Sequence, residues 1–120
     1  MIEKEGKYMY YVYILRCLDG SLYCGITTDM KRRYQEHLLK GKRSAKYTKV
    51  HGVKNLEALW ICENRSLALQ LEYSLKKLNK KEKENIIVDN FYFHKYLNTK
   101  IQINLYERLY KTQKMIDNKG

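Results

Sequence analysis

Residues 8–17 are almost unbroken in β-branched, aromatic and other apolar side chains, which predicts a central strand buried on both faces. Asp19-Gly20 follows. Both residue types tolerate the positive φ of a two-residue type I′ turn, so a hairpin is expected, with its return strand over residues 21–26. Thr27, Thr28 and Asp29 are candidate N-caps for an amphipathic helix over residues 30–39, closed near Gly41. Residues 40–54 are polar and basic, which predicts a loop. A third strand is expected over residues 56–62, around Leu59-Trp60-Ile61. Ser66 then caps a second helix in which Leu67, Leu71, Leu75 and Leu78 recur at helical spacing. The charged stretch 80–84 continues that helix or starts a short one towards Ile86 and Ile87. Beyond Asp89, apolar positions such as Phe93, Leu97, Ile101, Leu105 and Leu109 predict one or two further helices and a frayed end. The expected fold is α/β (α+β): a small three-stranded antiparallel sheet flanked by helices over residues 8–88, with a C-terminal helical extension over 89–120.

The chain's 120 residues suffice for one domain with one core. An apolar fraction of 44% excludes wholesale disorder. The formal charge of +11 changes the picture more. It points to a polyanionic partner, chiefly nucleic acid, with an anionic membrane surface ranked last because no basic amphipathic helix with aromatic anchors is present. No apolar run reaches the roughly 20 residues of a membrane span, and the charged, tyrosine-interrupted N-terminus is not a signal peptide. Cys17, Cys24 and Cys62 are odd in number and lack C-x-x-C spacing, which argues against a disulfide framework or a structural zinc site. Cys17 and Cys62 read as small buried hydrophobes, and the reducing cytoplasm is the consistent home.

The chemistry concentrates in Tyr13, Tyr23, Arg33 and His37, placed on two paired strands and one face of one helix. Phosphodiester hydrolysis needs a nucleophile, charge neutralisation on the phosphate, and help for the leaving oxygen. Arg33 offers a planar, permanently charged fork for two phosphate oxygens. His37 fits a proton shuttle, a phosphate contact, or a helix-end histidine favoured by the dipole. Glu72, on a leucine-rich helix, is a carboxylate available to a metal ion. Among the basic residues, Lys42, Arg43, Lys46 and Lys49, with Tyr47 between them and Arg32 beside Arg33, are expected to contact a nucleic-acid backbone. Tyr47 and His51 could stack on an unpaired base.

The order strand, hairpin, strand, helix, strand, helix, with these residues at these places, resembles the GIY-YIG nuclease domain. More narrowly it is similar to a small stand-alone bacterial branch, related to the catalytic subunit of a eukaryotic structure-specific endonuclease. Tyr11-Val12-Tyr13 stands where the first motif ends in tyrosine, and Tyr23-Cys24-Gly25 where the second begins with one. Tyrosine and valine replace the first motif's glycine and isoleucine, and cysteine replaces the second motif's isoleucine. Gly25 to Asp29, leading into Arg32-Arg33 and His37, and Arg65 to Leu69, leading to Glu72 and Lys76, also match. The resemblance covers residues 8–88. It implies a metal-dependent DNA endonuclease of low sequence specificity, with RNA and an activating partner protein left open, and a preference for branched, nicked or single-stranded substrate. Tyr13 would act as general base or hydrogen-bond the attacking water. Tyr23 would position water or phosphate, and Glu72 would hold one Mg²⁺ or Mn²⁺ ion with waters and phosphate oxygens. Free tyrosine has a pKa near 10, so a tyrosinate at pH 7 costs roughly 4 kcal/mol, which cationic neighbours would lower. Asn79 and Asn85 both stand near the family's distal asparagine and neither is assigned. The rival class is a non-catalytic nucleic-acid-binding module.

Overall fold

A two-stranded antiparallel ribbon, β1 (Glu3–Lys4) and β2 (Lys7–Tyr8), leads into the main sheet in a computed structural model that describes residues 3–4, 7–39 and 45–109. The apolar run at the head of the chain becomes β3 (Tyr10–Cys17), which turns back as β4 (Leu22–Thr27). Helix α1 (Met30–Leu39) and the short helix α2 (Lys46–His51) come next, followed by β5 (Val53–Cys62). Three helices then follow, α3 (Arg65–Lys77), α4 (Lys80–Val88) and α5 (Phe91–Leu97). A 3-10 turn at Ile103–Leu105 delivers the chain to β6 (Glu107–Leu109).

The sheet is antiparallel with the order β4-β3-β5-β6. The alternation of β3 explains its unbroken hydrophobicity. Val12 and Ile14 enter one core with Ala68, Leu71 and Leu75 of α3, Ile86 of α4, and Phe93 and Leu97 of α5. Tyr11, Tyr13 and Leu15 enter the other with Met30 and Tyr34 of α1. The centre of the sheet is therefore apolar on both faces.

The sheet has four strands rather than three. The fourth comes from the segment expected to be helical, where β6 pairs Leu59 with Leu109 and Ile61 with Glu107. Arg108 fixes it, since its guanidinium lies 5.1 Å from the Trp60 ring and donates to the carbonyls of Ile86 and Ile87 at 2.8 and 3.1 Å. Three residues carry too little alternation to announce a strand.

Other boundaries differ for local reasons. The hairpin closes through a three-residue loop rather than a two-residue turn. Cys17 N–H donates to Ser21 O at 2.8 Å and Gly20 N–H to Cys17 O at 2.9 Å, with Gly20 at φ +88°. The register then pairs Arg16 with Leu22 and Tyr13 with Gly25. Asp29 is the cap of α1, accepting from Arg32 N–H at 3.1 Å. Asn64, not Ser66, caps α3, accepting from Leu67 N–H at 2.8 Å. The charged stretch after α3 starts a separate helix through a capping box between Asn79 and Glu82, a device worth about 1 kcal/mol. Part of the expected basic loop is α2. Its Thr48 hydroxyl donates to the Ala45 carbonyl at 3.1 Å, and six residues are too few to show a helical period. Gly41, Lys42 and Arg43, and the end of the expected C-terminal extension (110–120), lie outside the described residues.

Candidate active site

The hairpin register sets Tyr13 directly opposite Gly25, on the sheet face that α1 covers. A Cβ built on Gly25 would stand 2.6 Å from the Tyr13 Cζ and against its hydroxyl oxygen. The missing side chain is what lets the phenol lie across the neighbouring strand. Its hydroxyl then reaches His37 Nε2, one turn after Arg33 on α1, at 2.9 Å.

The hydrogen bonds are consistent with one tautomer. Thr48 Oγ1 lies 3.1 Å from the Ala45 carbonyl and 2.7 Å from His37 Nδ1. With its hydroxyl proton on Ala45 and the His37 proton on Nδ1, bare Nε2 accepts the Tyr13 O–H. Tyr13, His37 and Thr48 are all fully buried. Burial, and then the charge of Arg33, push the His37 imidazole down to about 4, in keeping with a neutral ring. Arg33 donates to Glu36 Oε1 at 2.9 Å and hydrogen-bonds the Tyr13 hydroxyl from the other side. Burial pushes the Tyr13 phenol upward despite this help from Arg33, so its ionisation is harder than in water, contrary to the easing expected from cationic neighbours.

Tyr23 is the more open phenol, its ring 6.4 Å from that of Tyr13 and 5.5 Å from that of His37. Burial raises its pKa also, while the charges of Lys76 and Arg33 oppose the rise and Glu72 adds to it. Glu72 thus belongs to the electrostatic surroundings of both tyrosines, although it rides on the helix covering the other face of the sheet. Its carboxylate is 19% exposed and lies 3.3 Å from Lys76 Nζ. Among the described residues no group of three or more His, Cys, Asp or Glu side chains forms a metal cage. A lone carboxylate that already faces a cation beside two phenols fits a hard ion whose remaining ligands are water and phosphate oxygens.

Tyr47 stacks on Tyr23 at 5.9 Å and on His51 at 4.1 Å, extending the ring cluster outward along α2. Asp19 of the hairpin loop holds the far end of α2 through His51 Nδ1 at 2.5 Å. Lys46 and Lys49 project from α2 as exposed cations. Arg32 is exposed and lies 3.8 Å from Glu36. The structure thus brings Tyr13, Tyr23, Arg33 and His37 together, with Glu72 alongside. It adds Thr48, Glu36 and Gly25, to which the sequence reading gave no role. Gly25 could have been found from the hairpin register alone.

The buried imidazole has a consequence for stability. Its native pKa of about 4 lies below the ordinary 6.5, so between those values the unfolded chain binds a proton that the folded chain does not. Stability is then lost as pH falls from 6.5 to 4, by about 3 kcal/mol in all. Urea unfolding across this range is expected to show a steeper pH slope for the unmodified protein than for His37→Gln. Equal slopes would place the charge on the ring in the native state.

These elements define a class, and comparison with known proteins agrees on the family. The chain belongs to the GIY-YIG family, whose catalytic domain matches residues 9–85. Such domains are typically nucleases, that is, phosphodiester hydrolases acting on nucleic acid. Among similar proteins is the UPF0213 protein FN1575 of Fusobacterium nucleatum, 51% identical over 78 residues, which are 65% of this chain and 76% of that one. The UPF0213 protein YhbQ of Escherichia coli is 39% identical over 90 residues, 75% of this chain and 88% of that one. The solution NMR structure of the UPF0213 protein BH0048 from Bacillus halodurans is 42% identical and covers 67% of this chain and 83% of that one, with a TM-score of 0.44. No helix among the described residues is long and apolar enough to cross a membrane.

Proposed function

We propose that this protein is a metal-dependent endonuclease that hydrolyses DNA phosphodiester bonds with low sequence specificity. One observation carries the reading: Arg33, half-buried and braced by Glu36 and Tyr13, stands with Tyr23 and Glu72 in one cluster.

The division of labour follows from exposure. Tyr13 is fully buried, its proton given to His37 and its lone pair to Arg33, so it serves to aim the guanidinium. Tyr23 is the less buried phenol, and it holds the attacking water. Arg33 takes the non-bridging phosphate oxygens and stabilises the charge that builds on them as the water oxygen bonds to phosphorus and the bond to the leaving sugar oxygen breaks. Glu72 would hold a divalent ion, Mg²⁺ or Mn²⁺, which supplies Lewis-acid polarisation of a phosphate oxygen when bound. Lys76 would release Glu72 as that ion enters. Lys46, Lys49 and Arg32 contribute affinity without reading bases. The stacked pair of exposed Tyr47 and partly exposed His51 suits a base unstacked beside the cut, which fits a nicked, branched or single-stranded substrate.

The complete burial of Tyr13 and His37 is the observation that favours the second reading, a nucleic-acid-binding module without activity or one opened by a partner protein. Labelled single-stranded, duplex, nicked and branched DNA incubated with Mg²⁺, Mn²⁺ or EDTA separates the two. The expected result is cutting with metal and none with EDTA, with Glu72→Gln needing more metal for half-maximal rate. Salt-sensitive binding without cutting under any condition would favour the module.

A further inference from the structure

Beside the catalytic cluster the first turn of α1 and the start of α3 meet across a groove of about 490 Å³, lined by Tyr10, Thr28, Arg32, Arg33, Glu36 and Arg65 among others. Three guanidinium groups and a single carboxylate share it. Glu36 is engaged by both α1 arginines, at 2.9 Å by Arg33 and 3.8 Å by Arg32. Arg65, from the other helix, is exposed and has no ion pair or hydrogen bond among the described residues. The groove therefore holds an excess of two positive charges in a concave space.

Those charges are placed against local electrostatics. Asp29 caps α1, but neither α1 nor α3 has an acidic residue within its first turn, and cations near a helix N-terminus oppose the helix dipole. Arg65 enters at the start of α3, whose cap is the neutral Asn64, and Arg32 and Arg33 come from the first turn of α1, and all three open onto the same groove. Three guanidinium groups converging from two helices, one of them at an uncompensated helix start, mark a functional demand. The groove is also continuous with the cluster already described, because Arg33 lines it while hydrogen-bonding Tyr13.

Resting on the nuclease reading above, we infer that this groove is a second phosphate subsite, in which Arg65 and Arg32 hold the DNA backbone phosphate adjoining the one on Arg33. The strand then leaves the cutting centre between α1 and α3, on the side away from Tyr47 and α2. Arg65, on an element separate from the rest of the basic surface, clamps the strand against α1. The guanidinium forks match phosphate oxygens two at a time.

The test is binding of fluorescein-labelled duplex and single-stranded DNA to the full chain in EDTA, read by anisotropy over a series of salt concentrations. One lost phosphate contact lowers the slope of log affinity against log salt by about 0.9 on duplex and about 0.7 on single strands. Arg65→Ala is expected to show that loss and a several-fold weaker Kd at low salt, and Arg65→Lys to restore part of it. Lys100→Ala is the charge-matched comparison, since Lys100 lines a separate cleft with Lys77 at the opposite end of α3. Equal shifts for Arg65→Ala and Lys100→Ala, or no shift for Arg65→Ala, would overturn the subsite. Because EDTA removes cleavage from the readout, the two readings fail separately. A reduced slope in a protein that never cuts keeps the groove and sinks the nuclease, while cutting with an unchanged slope does the reverse.

Discussion

Arg33→Ala is expected to lower metal-dependent DNA cleavage by about a thousandfold, the upper end of what losing one preorganised charge donor costs in a transition state. The size follows from how firmly this guanidinium is held. It donates to Glu36 at 2.9 Å and hydrogen-bonds a phenol that is itself anchored through His37 to Thr48. A donor fixed in this way needs little reorganisation when charge develops on the phosphate. Arg33→Lys is expected to recover less than a tenth of the lost rate. An ammonium keeps the charge but cannot engage Tyr13, Glu36 and two phosphate oxygens with one planar fork. Single-turnover cleavage at saturating protein separates this loss from weaker binding. A rate within about threefold of the unmodified protein would remove Arg33 from the reaction.

Gly25→Ala is expected to damage both folding and cleavage although it adds one methyl group. That methyl would fall 2.6 Å from Tyr13 Cζ and 3.1 Å from Cε1, closer than carbon atoms approach without displacement. The ring is fully buried, so the expected cost is about 2 kcal/mol, in the range of overpacked cores. Moving the Tyr13 hydroxyl also releases Arg33, and misplacement of a reacting group by about 1 Å costs on the order of a hundredfold in rate. A double-mutant cycle identifies the cause. In a Tyr13→Ala background the collision is gone, and urea unfolding should show Gly25→Ala costing little further. Equal costs in both backgrounds would assign the damage to the β4 backbone instead.

The readable part of this fold lay where the period is long enough to count. Residues 8–17 read as a strand buried on both faces, and all but the first two form it as β3 (Tyr10–Cys17), Tyr8 belonging to the separate ribbon strand β2. Residues 30–39 read as a helix that places Arg33 and His37 on a common face, and they do. The leucine spacing after Ser66 marked α3, missing only that the cap sits two residues earlier on Asn64. The two short elements, α2 and β6, were not readable, because six or three residues cannot establish a period and both are held by distant partners. Thr48 gains its meaning only when α2 folds back onto α1, and Arg108 only when β6 meets Trp60. In the candidate site, spacing suggested which side chains would gather but not how deep each would lie. That Tyr13 is buried while Tyr23 stays open depends on the cover given by α1 and α2, which no motif encodes.

The three residues of β6 have an effect out of proportion to their number. A ten-residue strand as apolar as β5, left with its outer hydrogen-bonding edge bare, would offer a template on which a second copy could add its own strand. β6 covers the Leu59–Ile61 stretch of that edge, and the Arg108 guanidinium ties the cover to the α4–α5 junction. The segment thereby shields the Leu59–Ile61 stretch from pairing with a strand of another molecule. Loss of Arg108 would therefore show first as clumping during expression and storage, before any change in what each intact molecule can cut.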